Sequence, residues 1–144
     1  MKRYSVFLFL VLFASVMIGC RNGATATSAP GVEDWASLMA ALQAAGATVD
    51  VGDSVIQDFF TPEGHILTVN GADIQVFEYA DAAAMESEAA QVAPDGGSIG
   101  TSMVTWMDAP HFYKTGRLIV LYIGSDTAIL DLLDNVIGTQ FAGQ

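Results

Sequence analysis

The sequence predicts an α+β domain, a mostly antiparallel sheet of about six short strands with about three helices on one face. Three observations carry that expectation. Two apolar, partly alternating stretches each fold back at a turn pair, Asn70-Gly71 and Thr115-Gly116. Three stretches with apolar residues at helical spacing each begin at an acidic residue suited to capping a helix. The offset that carries Asn70 onto Thr115 also carries Asp81 onto Asp126, so hairpin and cap agree in register. Two β-β-β-α units behind a leading helix are the arrangement this predicts, either an old duplication or two ordinary hairpin-helix units that happen to agree.

The elements follow in order. In "EDWASLMAALQAAG", Trp35, Leu38, Met39 and Leu42 fall on one helical face, with Glu33 and Asp34 at the start and Gly46 at the stop. "TVDV" and "SVIQDFF" read as a short extended stretch broken at Gly52-Asp53. "GHILTV-NG-ADIQVFEYA" is the clearest hairpin, because a two-residue type I′ turn needs positive φ at both positions and Asn-Gly supplies it. Asp81 caps a second helix, "AAAMESEAAQV", which ends before Pro94-Asp95-Gly96-Gly97. "SIGTSMVTWM" reads as a strand. "PHFYK-TG-RLIVLYIG" then forms the second hairpin, in which a turn at Thr115-Gly116 pairs Lys114 with Arg117, Tyr113 with Leu118, Phe112 with Ile119 and His111 with Val120. Asp126 caps a third helix, "TAILDLLDNVIG", with Ile129, Leu132, Leu133 and Val136 in one stripe. Helices gathered on one face would leave the other sheet face partly open to solvent or to a partner.

The other end of the chain carries an address. "MKRYSVFLFLVLFASVMIGC" has two cations, Lys2 and Arg3, an apolar run from Val6 to Ile18, and then Gly19-Cys20. That is the pattern of a secretory signal, and the run falls short of the ~20 apolar residues a membrane-spanning helix needs. "MIGC" resembles the lipobox of bacterial lipoproteins, which implies a diacylglycerol on the Cys20 sulfur and cleavage before it. Cys20 is the only cysteine, so no intramolecular disulfide competes for it. The alternative is a core cysteine after an ordinary signal peptide. The expected organisation is a lipoprotein signal peptide over 1–19, a lipidated flexible tether over 20–31 ("RNGATATSAPG" after Cys20), and one α+β extracytoplasmic domain over 32–144. Segments such as "VNGADIQVFEYAD", "PDGGSIGT" and "PHFYKTGRLIVLYIG" resemble those of uncharacterised small bacterial lipoproteins, a family with no assigned activity. The resemblance implies a lipid-anchored place on the bacterial cell membrane or outer membrane, with the domain outside the cytoplasm. It implies nothing about chemistry.

Removal of residues 1–19 leaves three cations, Arg21, Lys114 and Arg117, against all 16 acidic residues, a formal charge of −13. This balance excludes nucleic acid as a partner and disfavours anionic headgroups beyond the anchor itself. The acidic excess serves solubility, salt tolerance or a cation-binding surface. No G-x-S-x-G, phosphate-cradling loop or H-E-x-x-H occurs, and His65 and His111 are the only histidines. Asp50, Asp53, Glu86 and Glu88 lack the spacing that wraps a calcium ion. No metal or cofactor is therefore expected. The candidate binding surface is Trp106, His111, Phe112, Tyr113, Lys114 and Arg117, which place aromatics below the only two cations of the folded part. The bland reading is that these cations relieve repulsion among acids while their stems cover apolar surface. The leading reading is a non-enzymatic, lipid-anchored binding module whose partner is an envelope protein or a small ligand. The alternative is a small envelope hydrolase or metal-dependent enzyme using His111 with nearby carboxylates.

If Cys20 carries lipid, the Cys20→Ser chain will move from the detergent phase to the aqueous phase in a detergent partition of whole cells, and mass spectrometry will find the acyl chains only on the unsubstituted protein.

Overall fold

The computed structural model describes residues 31–144; the signal peptide, Cys20 and residues 21–30 of the expected tether lie outside the described residues. Among the described residues, no helix is long and apolar enough to cross a membrane. The fold is α+β. Helix α1 (Trp35–Ala44) leads into β1 (Val49–Val55), β2 (Gly64–Val69) and β3 (Ala72–Glu78), followed by α2 (Ala82–Ala89). A small hairpin, β4 (Ser98–Ile99) and β5 (Ser102–Met103), precedes β6 (Pro110–Thr115), β7 (Leu118–Ile123), α3 (Thr127–Val136) and β8 (Ala142–Gly143). Six of the strands form one antiparallel sheet in the order β1-β2-β3-β7-β6-β8.

Local chemistry sets the helix starts. Asp34 accepts from the Ser37 N–H at 2.9 Å while the Ser37 hydroxyl faces back to the start of the helix, a closed capping box. Asp81 accepts from Ala84 N–H at 2.8 Å and Asp126 from Ala128 N–H at 2.9 Å. Each cap satisfies a backbone donor that the first turn leaves unpaired.

The layering departs from a one-sided arrangement of helices, and β7 is the reason. Every residue from Leu118 to Tyr122 is buried. Leu118, Val120 and Tyr122 pack with Leu38 and Leu42 of α1 and Ile129 and Leu133 of α3. Ile119 and Leu121 point the other way, into a cluster with Met85 and Ala89 of α2, Phe60, Phe77 and Phe112. A strand that is apolar at every position must bury both faces, so α1 and α3 cover one face of the sheet and α2 with its flanking loops covers the other. What stays open is the α2 side of β1, β2 and the start of β3, where Asp50, Thr68 and Asp73 lie in one cross-strand row.

The second hairpin is also one residue out of the expected register. Thr115 pairs with Leu118, Tyr113 with Val120, Phe112 with Leu121 and His111 with Tyr122, so the turn is Gly116-Arg117. Gly116 adopts φ +53°, and a Cβ there would lie 2.3 Å from the Glu33 backbone, which crosses over the turn. Only glycine fits both conditions. The first hairpin turns at Asn70-Gly71 with φ +51° and +89°, as type I′ requires. "SIGTSMVTWM" does not enter the main sheet; it folds on itself as β4 and β5, and the C-terminal β8 takes the sixth place beside β6. The two units therefore share hairpin, cap and helix, and no third strand.

Phe112 is fully buried among Phe60, Trp106 and Phe141. Phe112→Ala should lower the unfolding free energy by about 3–5 kcal/mol in a urea titration, where a surface residue would change it by less than about 0.5 kcal/mol.

Candidate functional site

The expected surface divides into a core part and a clamp. His111, Phe112 and Tyr113 are buried, at 5, 0 and 1% exposure. Successive residues of a strand alternate faces, so Tyr113 joins the α1/α3 side and Phe112 the α2 side. Tyr113 and Phe112 are packing residues, and neither is free to meet a partner.

Lys114 and Arg117 are both engaged within the domain. The Lys114 ammonium pairs with Glu86 of α2 and lies 5.3 Å from the centre of the Phe141 ring. Arg117 donates from Nε at 3.0 Å and from Nη2 at 2.7 Å to Glu78 Oε1, and Nη2 lies 3.9 Å from Asp34 Oδ2. Its backbone N–H donates to Glu33 O at 2.9 Å, and its carbonyl accepts from Tyr79 N–H at 2.9 Å. The Thr115 hydroxyl donates to Val32 O at 2.6 Å. The hairpin tip is thus a clamp that holds the entering chain and the start of α1 against β3 and β7. The Ser37 N–H and then the Ser37 hydroxyl hold the Asp34 carboxyl below its ordinary range, with Arg117 adding the smallest part. Hydrogen bonding to Glu78 raises the Arg117 guanidinium above its ordinary value. The register explains why these cations were expected at an open tip: a turn at Thr115-Gly116 would have set them opposite each other, whereas Lys114 pairs with Ile119 and Arg117 sits in the turn.

Both ring nitrogens of His111 are engaged inside the fold. Nε2 lies 3.0 Å from Gly124 O and Nδ1 lies 2.7 Å from Gln140 Oε1, the donor role of each depending on the tautomer. The ring stacks on Tyr122 at 6.0 Å. Among the described residues it makes no ion pair with a carboxylate. His65 lies on β2, separated from His111 by β3 and β7, with its ring edge-on to Trp35 at 5.4 Å. Among the described residues, no group of three histidine, cysteine or acidic side chains converges as a metal would need.

Of the expected six residues, Arg117 lines a cleft of about 270 Å³ with Glu33, Asp34 and Asp81, and Trp106 lines another. That cleft, of about 410 Å³, lies at the start of β6 and includes Asp95, Thr105, Trp106, Asp108 and Gln144. Indole Nε1 donates to Gly96 O at 2.7 Å, and the ring packs on Phe59 and Phe112, so one edge is fixed while the residue stays half-buried. Among the described residues, two of the four exposed large apolar side chains, Met103 at 92% and Met107 at 102%, flank Trp106 in sequence. The other two, Val51 and Ile56, lie on or beside β1, next to a second cleft of about 300 Å³ walled by Trp35, Val51, His65 and Glu78. Asp95, Asp108 and the two methionines escaped the sequence reading because "SIGTSMVTWM" was expected to be a sheet strand. The turn residues on either side of it, Asp95-Gly96-Gly97 and Asp108-Ala109-Pro110, were the available signal that this segment is a loop.

Compared with protein-family models, curated proteins and solved structures, the chain matches none. The site is therefore read from its own geometry.

Two buried phenols give the clamp and core a pH signature. Burial pushes the Tyr79 hydroxyl, which also donates to Glu88 at 2.8 Å, and the Tyr113 hydroxyl, which faces Asp134, well above their ordinary value of 10.0. Because the raised pKa belongs to the folded state, the stability they contribute is complete below pH ~10 and is lost as pH rises past it. Absorbance titration should show both phenols withheld until the protein unfolds in alkali, and Tyr79→Phe should remove one withheld group.

Proposed function

We propose that the protein is a lipid-anchored, extracytoplasmic binding module that presents the Trp106 end of its sheet to an envelope protein or small ligand. One observation carries this reading. The chain enters the domain at Val32 and Glu33, bonded to the β6–β7 turn, whereas the Trp106 cleft and the exposed Met103 and Met107 lie at the other end of β6. Strand β6 spans Pro110–Thr115, which sets the two ends roughly 17 Å apart at ~3.4 Å per residue. An anchor at Cys20 would attach the domain at its entry end, and the methionine loop lies at the opposite end of β6 from that attachment. Exposed, unbranched methionines beside an aromatic-walled cleft suit a partner that is gripped by adaptable apolar contact. The alternative, a hydrolase built on His111, draws no support from its position, since both ring nitrogens are committed inside the fold.

A photo-crosslinking residue placed at position 107 should give a discrete adduct in native membranes, and Met103→Ser should reduce it at least about fivefold, the effect of losing one ~1 kcal/mol contact. The same probe at position 131, on the exposed side of α3, should give none. Equal yield at both positions, or none at 107, would reject this end as the one that meets a protein.

A further inference from the structure

The free edge of the main sheet has a chemistry of its own, separate from the Trp106 cleft. Among the described residues, no strand pairs with the outer side of β1. The hydrogen bond from Asn70 N–H to Thr48 O fixes the phase of the ladder: Thr48 and Asp50 turn their backbone groups toward β2, so Val49 and Val51 turn theirs outward. Side chains alternate along the same edge. Val51 continues the apolar row of Leu67 and Ile74 and walls the cleft with Trp35, His65 and Glu78. Asp50 continues the opposite row of Thr68 and Asp73, which are themselves bonded at 2.7 Å, and Asp53 follows at the bulge. The edge therefore offers backbone donors and acceptors, an apolar pocket on one face and carboxylates on the other.

We infer that β1 is a docking edge for an extended segment of a partner protein in which apolar and basic residues alternate. Such a segment adds a strand to the sheet through the outward N–H and C=O groups of Val49 and Val51. Its apolar residues then fall beside Val51 and the Trp35 cleft, and its basic residues fall in the row of Asp50 and Asp73, because strand side chains alternate with period two. A second copy of this chain is the wrong occupant. Its own β1 would bring another Asp50 and Asp53 to a surface already acidic, in a chain whose formal charge is −11. Charge selects a cationic partner for the same reason that it rejects a copy.

The test is hydrogen exchange read amide by amide on the full chain in detergent micelles. A short synthetic peptide of alternating valine and lysine is added, with an alternating valine–glutamate peptide as control. The lysine peptide should protect the Val49 and Val51 amides and the control should not. Val51→Pro removes an outward donor without breaking a β1–β2 bond, and should weaken the lysine peptide at least about tenfold, the loss of ~1.4 kcal/mol. Should that variant fold poorly, Asp50→Lys keeps the backbone and should reverse the preference toward the glutamate peptide. Protection elsewhere, equal binding by both peptides, or no binding by either overturns the inference. So does protection of Val49 and Val51 in the free protein, which would mean that residues 21–30 of the chain itself already hold the edge.

Discussion

Burial of β7 on both of its faces is the constraint from which the rest of the architecture follows. Leu118 to Tyr122 offer the sheet no polar side to turn toward water. Two hydrophobic layers must then be built from a short chain, and each helix is assigned to one of them by what it can bring. Helices α1 and α3 carry leucine and isoleucine to the Val120 side, while the smaller α2 contributes Met85 and Ala89 and leaves the remaining volume to Phe60, Phe77 and Phe112. The aromatic cluster makes up for a short helix. Its rings meet edge-on or tilted, with Phe60 and Phe77 4.8 Å apart and Trp106 and Phe112 5.8 Å apart, the geometries that aromatic quadrupoles favour. The β4–β5 segment is drawn over the same cluster through Ile99 and Val104, which explains why it leaves the main sheet.

Charge is organised around the scarcity of cations. Lys114 and Arg117 are the only two in residues 31–144, and each joins separate elements: Lys114 ties β6 to α2, and Arg117 ties the second hairpin to β3 and to the cap of α1. Pairs this exposed contribute little apiece. Their effect is directional, because they settle which of many carboxylates lie inward against the sheet. The remaining acids line the surface unopposed, and any partner that meets this protein by charge meets it with lysine or arginine.

Much of this was legible in the sequence, for local reasons. Asp34, Asp81 and Asp126 announce helix starts because a cap is a contact between near neighbours, and Asn70-Gly71 announces a turn because its backbone conformation excludes most other residues. What was not legible depends on distant contacts. Thr115-Gly116 and Gly116-Arg117 are equally plausible turns to local chemistry; Glu33 decides between them by lying across Gly116. The one-residue slip that follows moves Arg117 from a cross-strand pair into the clamp. Likewise nothing near Ala142 announces a strand, since β8 exists only because β6 presents Phe112 and His111 to it. Tyr113 and Phe112 looked like surface anchors because aromatics beside cations suit both a core and an interface, and only the packing of α3 and the Phe60 cluster separates the two.

The strap formed by Val32 and Glu33 also defines a path for mechanical load. Tension arriving from the N-terminal side of Gly31 meets, in order, the bond from the Thr115 hydroxyl to Val32 O and the bond from Arg117 N–H to Glu33 O before it reaches the capping box of α1. Releasing those two bonds uncovers a glycine turn and draws Val32, a buried member of the α1/α3 side of the core, toward solvent. The entering chain is therefore not a loose hinge: it yields to a pull only by giving up two hydrogen bonds and one core side chain together.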